Sequence, residues 1–387
     1  IFLVLRLKAM LSKFEVSGFK GFNENMVFDL SDVKNYNFNT ESIKDNTINK
    51  SIIYGQNGTG KTNLGLAIFD IVRHLTDKEF RPSTYANYLN AANEEQKAKF
   101  KYTFFLKGKK VIYKYVKSDY NVLISEELFI DENRVLYINR DESTNSYINL
   151  KGAETLKTDI GHAGISIISY VKNNAVLDDT PINQAFFELV NFVNKMLFFR
   201  IVEQANSYIF LGLNSGEKSI TSDIIEAGKL PEFEKFLNTS GIKCKLAIYK
   251  KVGEKRIAFD FGKRKIDFFE NASTGTKALS IFYFWLQRIK HENTVSFVFI
   301  DEFDAYYHHN LSKIIVKELK QTNAQVVLTT HNTSIMTNDL LRPDCYFVMT
   351  DELIKPLCNL TSKELRQAHN LEKMYKAGVF QEYENIE

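Results

Sequence analysis

Eight consecutive residues, Gly55-Gln56-Asn57-Gly58-Thr59-Gly60-Lys61-Thr62, fit the pattern G-x-x-x-x-G-K-[ST] at every fixed position. That spacing suits the cradling of phosphates. Glycines let the backbone curl until successive N–H groups point at an anion, and a helix starting at the end of the loop adds partial positive charge. Gly55, Asn57, Gly58 and Gly60 are the expected lining, with Asn63 just behind. Lys61 is placed to reach the β- and γ-phosphates and the Thr62 hydroxyl to ligate Mg2+. The flanks agree: Ser51–Tyr54 reads as a buried strand and Leu64–Val72 as a helix. The stretch implies a nucleoside triphosphate with Mg2+.

Three further groups carry chemistry that pairs with the loop. Phe297-Val298-Phe299-Ile300-Asp301-Glu302 is an apolar strand ending in two acids. Asp301 is the candidate to hold Mg2+ together with Thr62, and Glu302 to polarise the attacking water. Val326–His331 is a strand ending in histidine, where an open α/β sheet binds its ligands, so His331 is a candidate γ-phosphate contact. Asn271-Ala272-Ser273-Thr274-Gly275-Thr276-Lys277 opens a helix, and Ser273 with the Gly275 backbone offers donors to an anion there. Catalytic roles thus fall to Lys61, Glu302 and His331.

The elements that must position these groups alternate strand and helix. The spacing predicts helices over Thr276–Ile289 and Leu311–Leu319, with apolar strands over Val295–Ile300, Gln325–Leu328 and Cys345–Met349. Continuous apolar strands indicate a parallel sheet covered on both faces. Its two halves, near Tyr54 and near Ile300, stand about 240 residues apart, far beyond one crossover, so the core is split. Leu11–Phe22 and Met26–Leu30 read as strands, with a polar loop from Asp32 to Lys50. Runs at 101–106, 111–116, 127–130 and 135–138 suggest an antiparallel meander. Ala185–Phe199 reads as one apolar helix, Ile224–Leu237 as a helix restarted at Pro231, and 245–249 with 256–261 as a strand pair joined at Gly253.

Composition sets wide limits. The 387 residues are 44% hydrophobic and 25% charged, as in an ordinary globular protein, with a net charge of +3 that neither demands nor excludes nucleic acid. Three cysteines without metal spacing suggest a reducing cytoplasm rather than a disulfide framework. No apolar run approaches the roughly 18 residues that span a bilayer. Ile1–Ala9 reads as an addition ahead of a fold that begins near Met10.

The order of phosphate loop, Ser-Thr-Gly-Thr-Lys stretch, Asp301-Glu302 and His331 resembles the ABC-type ATPase heads of the structural-maintenance-of-chromosomes (SMC), RecF and OLD group. Phe14–Phe22 is similar to their opening strand. The resemblance implies an α/β P-loop NTPase head of ABC type with a split core, an antiparallel β subdomain and a helical insertion. Its parts would be residues 10–75 and 268–387 for the two halves of the core and 76–267 between them. It also implies two copies sandwiching two ATPs, in a homodimer or higher oligomer. Ser273 and Gly275 would then touch the γ-phosphate of the opposite copy, and Asp304 would lie at the seam. No glutamine in the middle section can be assigned to the Q-loop, and no heptad pattern of coiled-coil length is present.

The tail narrows the likeness. Thr330–Met336, Leu340–Asp344 and Leu371–Phe380 resemble the stand-alone ATPases of bacterial phage defence, of abortive-infection, PARIS and retron-associated types. That implies an ATPase switch holding or releasing a separate toxic effector such as a nuclease, as in toxin–antitoxin pairs, in response to a phage-encoded trigger. His331–Glu387 is too short for the TOPRIM nuclease of OLD enzymes, so the effector is expected on another chain. A second reading is a RecF-like DNA-binding ATPase of repair. Lys245, Lys250, Lys251, Lys255, Arg256, Lys263, Arg264 and Lys265 would give salt-dependent contacts to DNA phosphates, although a solvated hairpin face accounts for the same residues.

Overall fold

The protein is described here by a computed structural model covering residues 8–78, 82–160, 164–202, 207–213, 220–251, 253–291, 293–305 and 309–380. Most of the segment ahead of Met10 lies outside the described residues. The chain opens with β1 (Met10–Ser17) and β2 (Met26–Asp29), paired antiparallel with Phe14 opposite Phe28. A small hairpin, β3 (Ile43–Lys44) and β4 (Thr47–Ile48), interrupts the stretch whose polarity suggested only loop. The fully buried β5 (Lys50–Tyr54) feeds the glycine-rich loop and α1 (Lys61–Leu75).

A meander follows: β6 (Ala98–Leu106), β7 (Lys109–Asp119), β8 (Val122–Ile130), β9 (Asn133–Asn139) and β10 (Tyr147–Ile148). It joins β1 and β2 in one antiparallel sheet, ordered β10-β9-β8-β7-β6-β1-β2. The first two strands therefore belong to this sheet and do not lie beside the loop strand.

Two helices come next, α2 (Ile167–Asn174) and α3 (Pro181–Asn194), each started by a hydroxyl cap. Ser166 accepts from Ile168 N and Thr180 from Asn183 N. The expected helix over 185–199 is corrected here. It stops at Asn194, and Met196–Val202 is a strand, β11, paired with β12 (Ser207–Gly212). The apolar run hid the break because β11 is covered on both faces. Phe198 packs on Phe69 of α1, while Phe199 stacks on Trp285 from the other side. A strand buried on both faces shows no alternation that would separate it from a buried helix.

The chain then forms α4 (Ile220–Glu226), α5 (Leu230–Thr239), and a three-stranded antiparallel sheet of β13 (Leu246–Lys251), β14 (Glu254–Asp260) and β15 (Lys265–Asp267). The last third runs α6 (Phe268–Asn271), α7 (Thr274–Lys290), β16 (Phe297–Asp301), α8 (His309–Lys320), β17 (Gln325–Thr330), β18 (Tyr346–Met349), β19 (Ile354–Pro356) and α9 (Leu371–Lys376). The core sheet is ordered β12-β11-β16-β17-β5-β18-β19. Its five inner strands are parallel, and β12 and β19 close the edges antiparallel. Strand β5 thus inserts between β17 and β18, which arrive more than 250 residues later in the chain.

Helix α1 lies between the two large sheets, which is why it is apolar almost all round. On one side Gly65 sits so near the core sheet that a Cβ there would meet the rings of Phe198 and Phe299 at 2.7 Å. On the other, Tyr102 of β6 donates its hydroxyl to Ala67 O at 2.9 Å. The buried Gln325 ties the sheets directly. It accepts from Leu11 N at 2.9 Å and donates to Leu11 O at 2.8 Å and Ile48 O at 2.9 Å.

Candidate functional site

The loop leaves β5 and turns back into α1 through Gly58 and Gly60, whose φ values of 92° and 93° favour glycine. At Gly60 a Cβ would also press on the Phe22 ring at 3.0 Å, so the end of the first hairpin packs against the loop. Gly55 is tighter still: a side chain would meet Thr59 Oγ1 at 2.6 Å and Met349 O at 2.8 Å. Asn57 is exposed on the loop, and Asn63 lies in the first turn of α1, its amide close to Gly21.

Lys61 is buried, and its ammonium donates to Gly55 O at 2.7 Å and Gln56 O at 2.9 Å, folding across the loop. Burial lowers its pKa, and the neighbouring Arg200 acts in the same direction while Asp301 and Glu302 act against it.

The end of β16 meets the start of α1. Thr62 donates its hydroxyl to Asp301 Oδ2 at 2.7 Å, and Thr329, at the end of β17, donates to Asp301 Oδ1 at 2.7 Å. Burial pushes the Asp301 carboxyl above its usual range, against those hydrogen bonds and the charge of Arg200. Glu302 follows in the left-handed region, φ 47°, an uncommon conformation for a residue with a side chain. Its N–H donates to Thr329 Oγ1 at 2.8 Å, which fixes the turn.

Lys61, Thr62, Asp301 and Glu302, 240 residues apart in sequence, are thus brought to one corner at the C-terminal ends of parallel strands. His331 is exposed immediately past β17, at the same sheet edge. Asp304 is buried and held within its own chain, accepting from Thr330 Oγ1 at 2.6 Å and Asn332 Nδ2 at 3.0 Å. Ser273 and Gly275 lie at the start of α7, outside this hydrogen-bonded corner. Ser273 caps α7, accepting from Thr276 N at 3.2 Å, and among the described residues neither shares a hydrogen bond with the loop or the acidic pair.

Two residues of the corner escaped sequence reasoning. One is Thr329, which buttresses both acids. The other is Arg200 of β11, in register with Asp301 of the neighbouring β16. Its Nη2 donates to Glu302 Oε2 at 2.8 Å, and its Nη1 lies 3.3 Å from Thr62 Oγ1 and 3.5 Å from Asp301 Oδ2. A single charge inside Met-Leu-Phe-Phe-Arg-Ile-Val was the available signal, much as Asp301 stands out after Phe-Val-Phe-Ile.

The donor set suits magnesium. A hydroxyl and one carboxylate are hard oxygen ligands, and Mg2+ takes few protein ligands beside phosphate and water. Among the described residues no group of three or more His, Cys, Asp and Glu side chains could hold a metal ion.

Residues 50–337, which hold the loop, β11, the capped start of α7, the acidic pair and His331, match the family model described as "AAA domain, putative AbiEii toxin, Type IV TA system". The chain belongs to that family. No curated protein matches the chain of this AAA-domain member. Among solved structures it is similar to an SMC head bound to the C-winged helix domain of ScpA, at 16% identity and a TM-score of 0.50, covering 89% of this chain and 97% of that one. An SMC head domain from Thermotoga maritima matches at 14% identity and a TM-score of 0.42, covering 89% and 98%. The recombination mediator RecF in its ATPrS form matches at 14% and 0.39, covering 91% and 99%. The first likeness identifies the fold of this AAA-domain member as that of an ABC-type ATPase head, in agreement with the fold class expected from its motifs. Among the described residues no helix is long and apolar enough to cross a membrane.

Proposed function

We propose that the chain binds ATP with Mg2+, hydrolyses it to ADP and phosphate, pairs with a second copy when ATP is bound, and uses that pairing to control a separate effector in phage defence. The observation that carries the ATPase reading is the hydrogen bond from Thr62, at the end of the glycine-rich loop, to Asp301 beside Glu302. The loop amides and Lys61 would hold the phosphates, and Thr62 and Asp301 the metal. Bound there, Mg2+ would neutralise phosphate charge. Glu302 would orient and deprotonate water, with His331 at the same sheet edge facing the γ-phosphate.

Pairing is supported by the exposed position of Ser273 at the start of α7, with no hydrogen bond to the loop of its own chain among the described residues. A second copy could present that helix end to the phosphates. The defence role rests on the family description and on the tail residues. The test is to purify tagged Glu302→Gln protein with ATP from a host carrying the neighbouring genes. A stoichiometric partner that is lost on adding Lys61→Ala supports the switch; recovery of the chain alone refutes it.

One observation favours the repair-type reading. Lys243, Lys245, Lys250, Lys255, Lys263, Arg264 and Lys265 are exposed on or beside the β13–β15 sheet, whereas Lys251 and Arg256 are engaged by Glu270. DNA that binds at low salt, stimulates hydrolysis and is released steeply as salt rises would support it. An ATPase indifferent to DNA would remove it.

A further inference from the structure

Arg200 is placed where a cation is expected. Its guanidinium approaches Thr62 Oγ1 and Asp301 Oδ2, the two oxygens best suited to a divalent ion, and it is ion-paired with Glu302, the residue suited to activate water. A metal ion coordinating Thr62 and Asp301 from the side that Nη1 occupies would collide with it and compete for the same lone pairs. The side chain is about one-third exposed, at 32%, so it enters the corner from the solvent edge and can leave the same way. The backbone is fixed, since β11 is in parallel register with β16. Only the side chain needs to move.

We propose that Arg200 is an internal counter-cation that closes the divalent-metal site and holds Glu302 in an ion pair, and that a divalent cation bound with nucleotide displaces it. The inference rests on the ATPase reading and deepens it by adding a gate to the same site. With Arg200 in place, two carboxylates face two side-chain cations, Lys61 and Arg200, and the corner is neutral without metal. With Arg200 withdrawn, Thr62 and Asp301 are open and Glu302 is free to accept a proton from water. One side chain therefore couples metal entry to release of the base, which prevents water activation on nucleotide that lacks its metal. Occupancy by Arg200 also weakens the measured metal affinity by the fraction of molecules in which the site is closed.

The test uses the full chain with Mn2+ as the probe. Free Mn2+ is followed by electron paramagnetic resonance in the presence of a non-hydrolysable ATP analogue, and analogue affinity in EDTA is measured by calorimetry. Wild type, Arg200→Gln and Arg200→Lys are compared, with thermal melting as the check on folding. Removal of a partly exposed paired cation is expected to tighten Mn2+ about twofold to fivefold, with analogue affinity in EDTA unchanged. Arg200→Lys, which keeps the charge on a shorter, non-planar head, falls between. If Arg200→Gln does not fold, Arg200→Lys decides by the same sign. Unchanged or weaker Mn2+ binding overturns the inference, and so does a fall in EDTA affinity, which would place Arg200 on the phosphates. Wild-type protein that binds no analogue under any condition would instead overturn the ATPase reading, and the gate with it.

Discussion

At the level of single residues, the proposed function divides the corner into groups that would hold phosphate and groups that would act on water, and substitutions should separate them. On that proposal Lys61→Ala would remove a charge-assisted donor shared between two phosphates. At about 1.5–3 kcal/mol for each such contact, ATP affinity should fall at least a hundredfold, read by calorimetry. Unchanged affinity would refute the loop assignment. Glu302→Gln keeps the shape and would lose the proposed base, so binding should survive while turnover drops about 10²–10⁴-fold in a phosphate-release assay. Turnover near the wild-type rate would move the base elsewhere. The two acids differ in setting. Asp301 is buried and hydrogen-bonded through both oxygens, whereas Glu302 is partly exposed and held by one arginine.

At the level of elements, α1 transmits between the two sheets, and its packing leaves no slack. Gly65→Ala would drive a methyl group into Phe198 and Phe299 and should cost about 1–3 kcal/mol of stability by urea unfolding. A neutral result would mean that β11 and β16 can shift. The opposite face is equally closed and carries one buried charge. Asp70, fully buried on α1, accepts from Tyr88 at 3.0 Å, Tyr115 at 2.9 Å and Lys117 at 2.7 Å. Burial lowers the Lys117 pKa, and the Asp70 charge opposes that shift. Lys117→Met would strand the carboxylate and should destabilise by about 3–5 kcal/mol. The Asp70→Asn, Lys117→Met pair should recover part of that loss, the expected sign for a coupled pair. A double-variant loss equal to the sum of the two single losses would show that the two charges are not coupled.

The elements also explain what could be read in advance. The loop, β5, α1, β16 and β17 were legible because apolar runs there end abruptly in Gly, Asp or His. The β6–β9 meander was legible from turn residues between alternating runs. Strand β11 was not, since burial on both faces erased its period, and Arg200 went unnoticed with it. The placement of β1 and β2 in the antiparallel sheet was also hidden. That pairing depends on β6, more than 80 residues away, and nothing local encodes it.

At the level of the whole molecule, Ser273 is exposed and, among the described residues, shares no hydrogen bond with its own loop, so a symmetric pair is one way to complete a site that mixing experiments can test. In a two-fold dimer each site would take the loop from one copy and the α7 start from the other. A Lys61→Ala chain lacks a working loop but keeps a sound α7 start. A Ser273→Arg chain has the reverse defect, and alone should bind ATP normally yet fail to hydrolyse it. Each variant by itself should be inactive, because both sites of its homodimer carry a defect. In an equal mixture about half the dimers pair one chain of each kind, and each of those holds one intact site and one doubly defective site. Activity should therefore return to about a quarter of the wild-type level if the sites act independently. Complementation requires the loop and Ser273 to come from different copies, since no single chain in the mixture carries both. A mixture as inactive as its components would mean that both sites must fire together, or that Ser273 acts within its own chain. Adding wild type to Ser273→Arg separates these: concerted sites predict loss beyond simple dilution, whereas action within one chain predicts dilution alone.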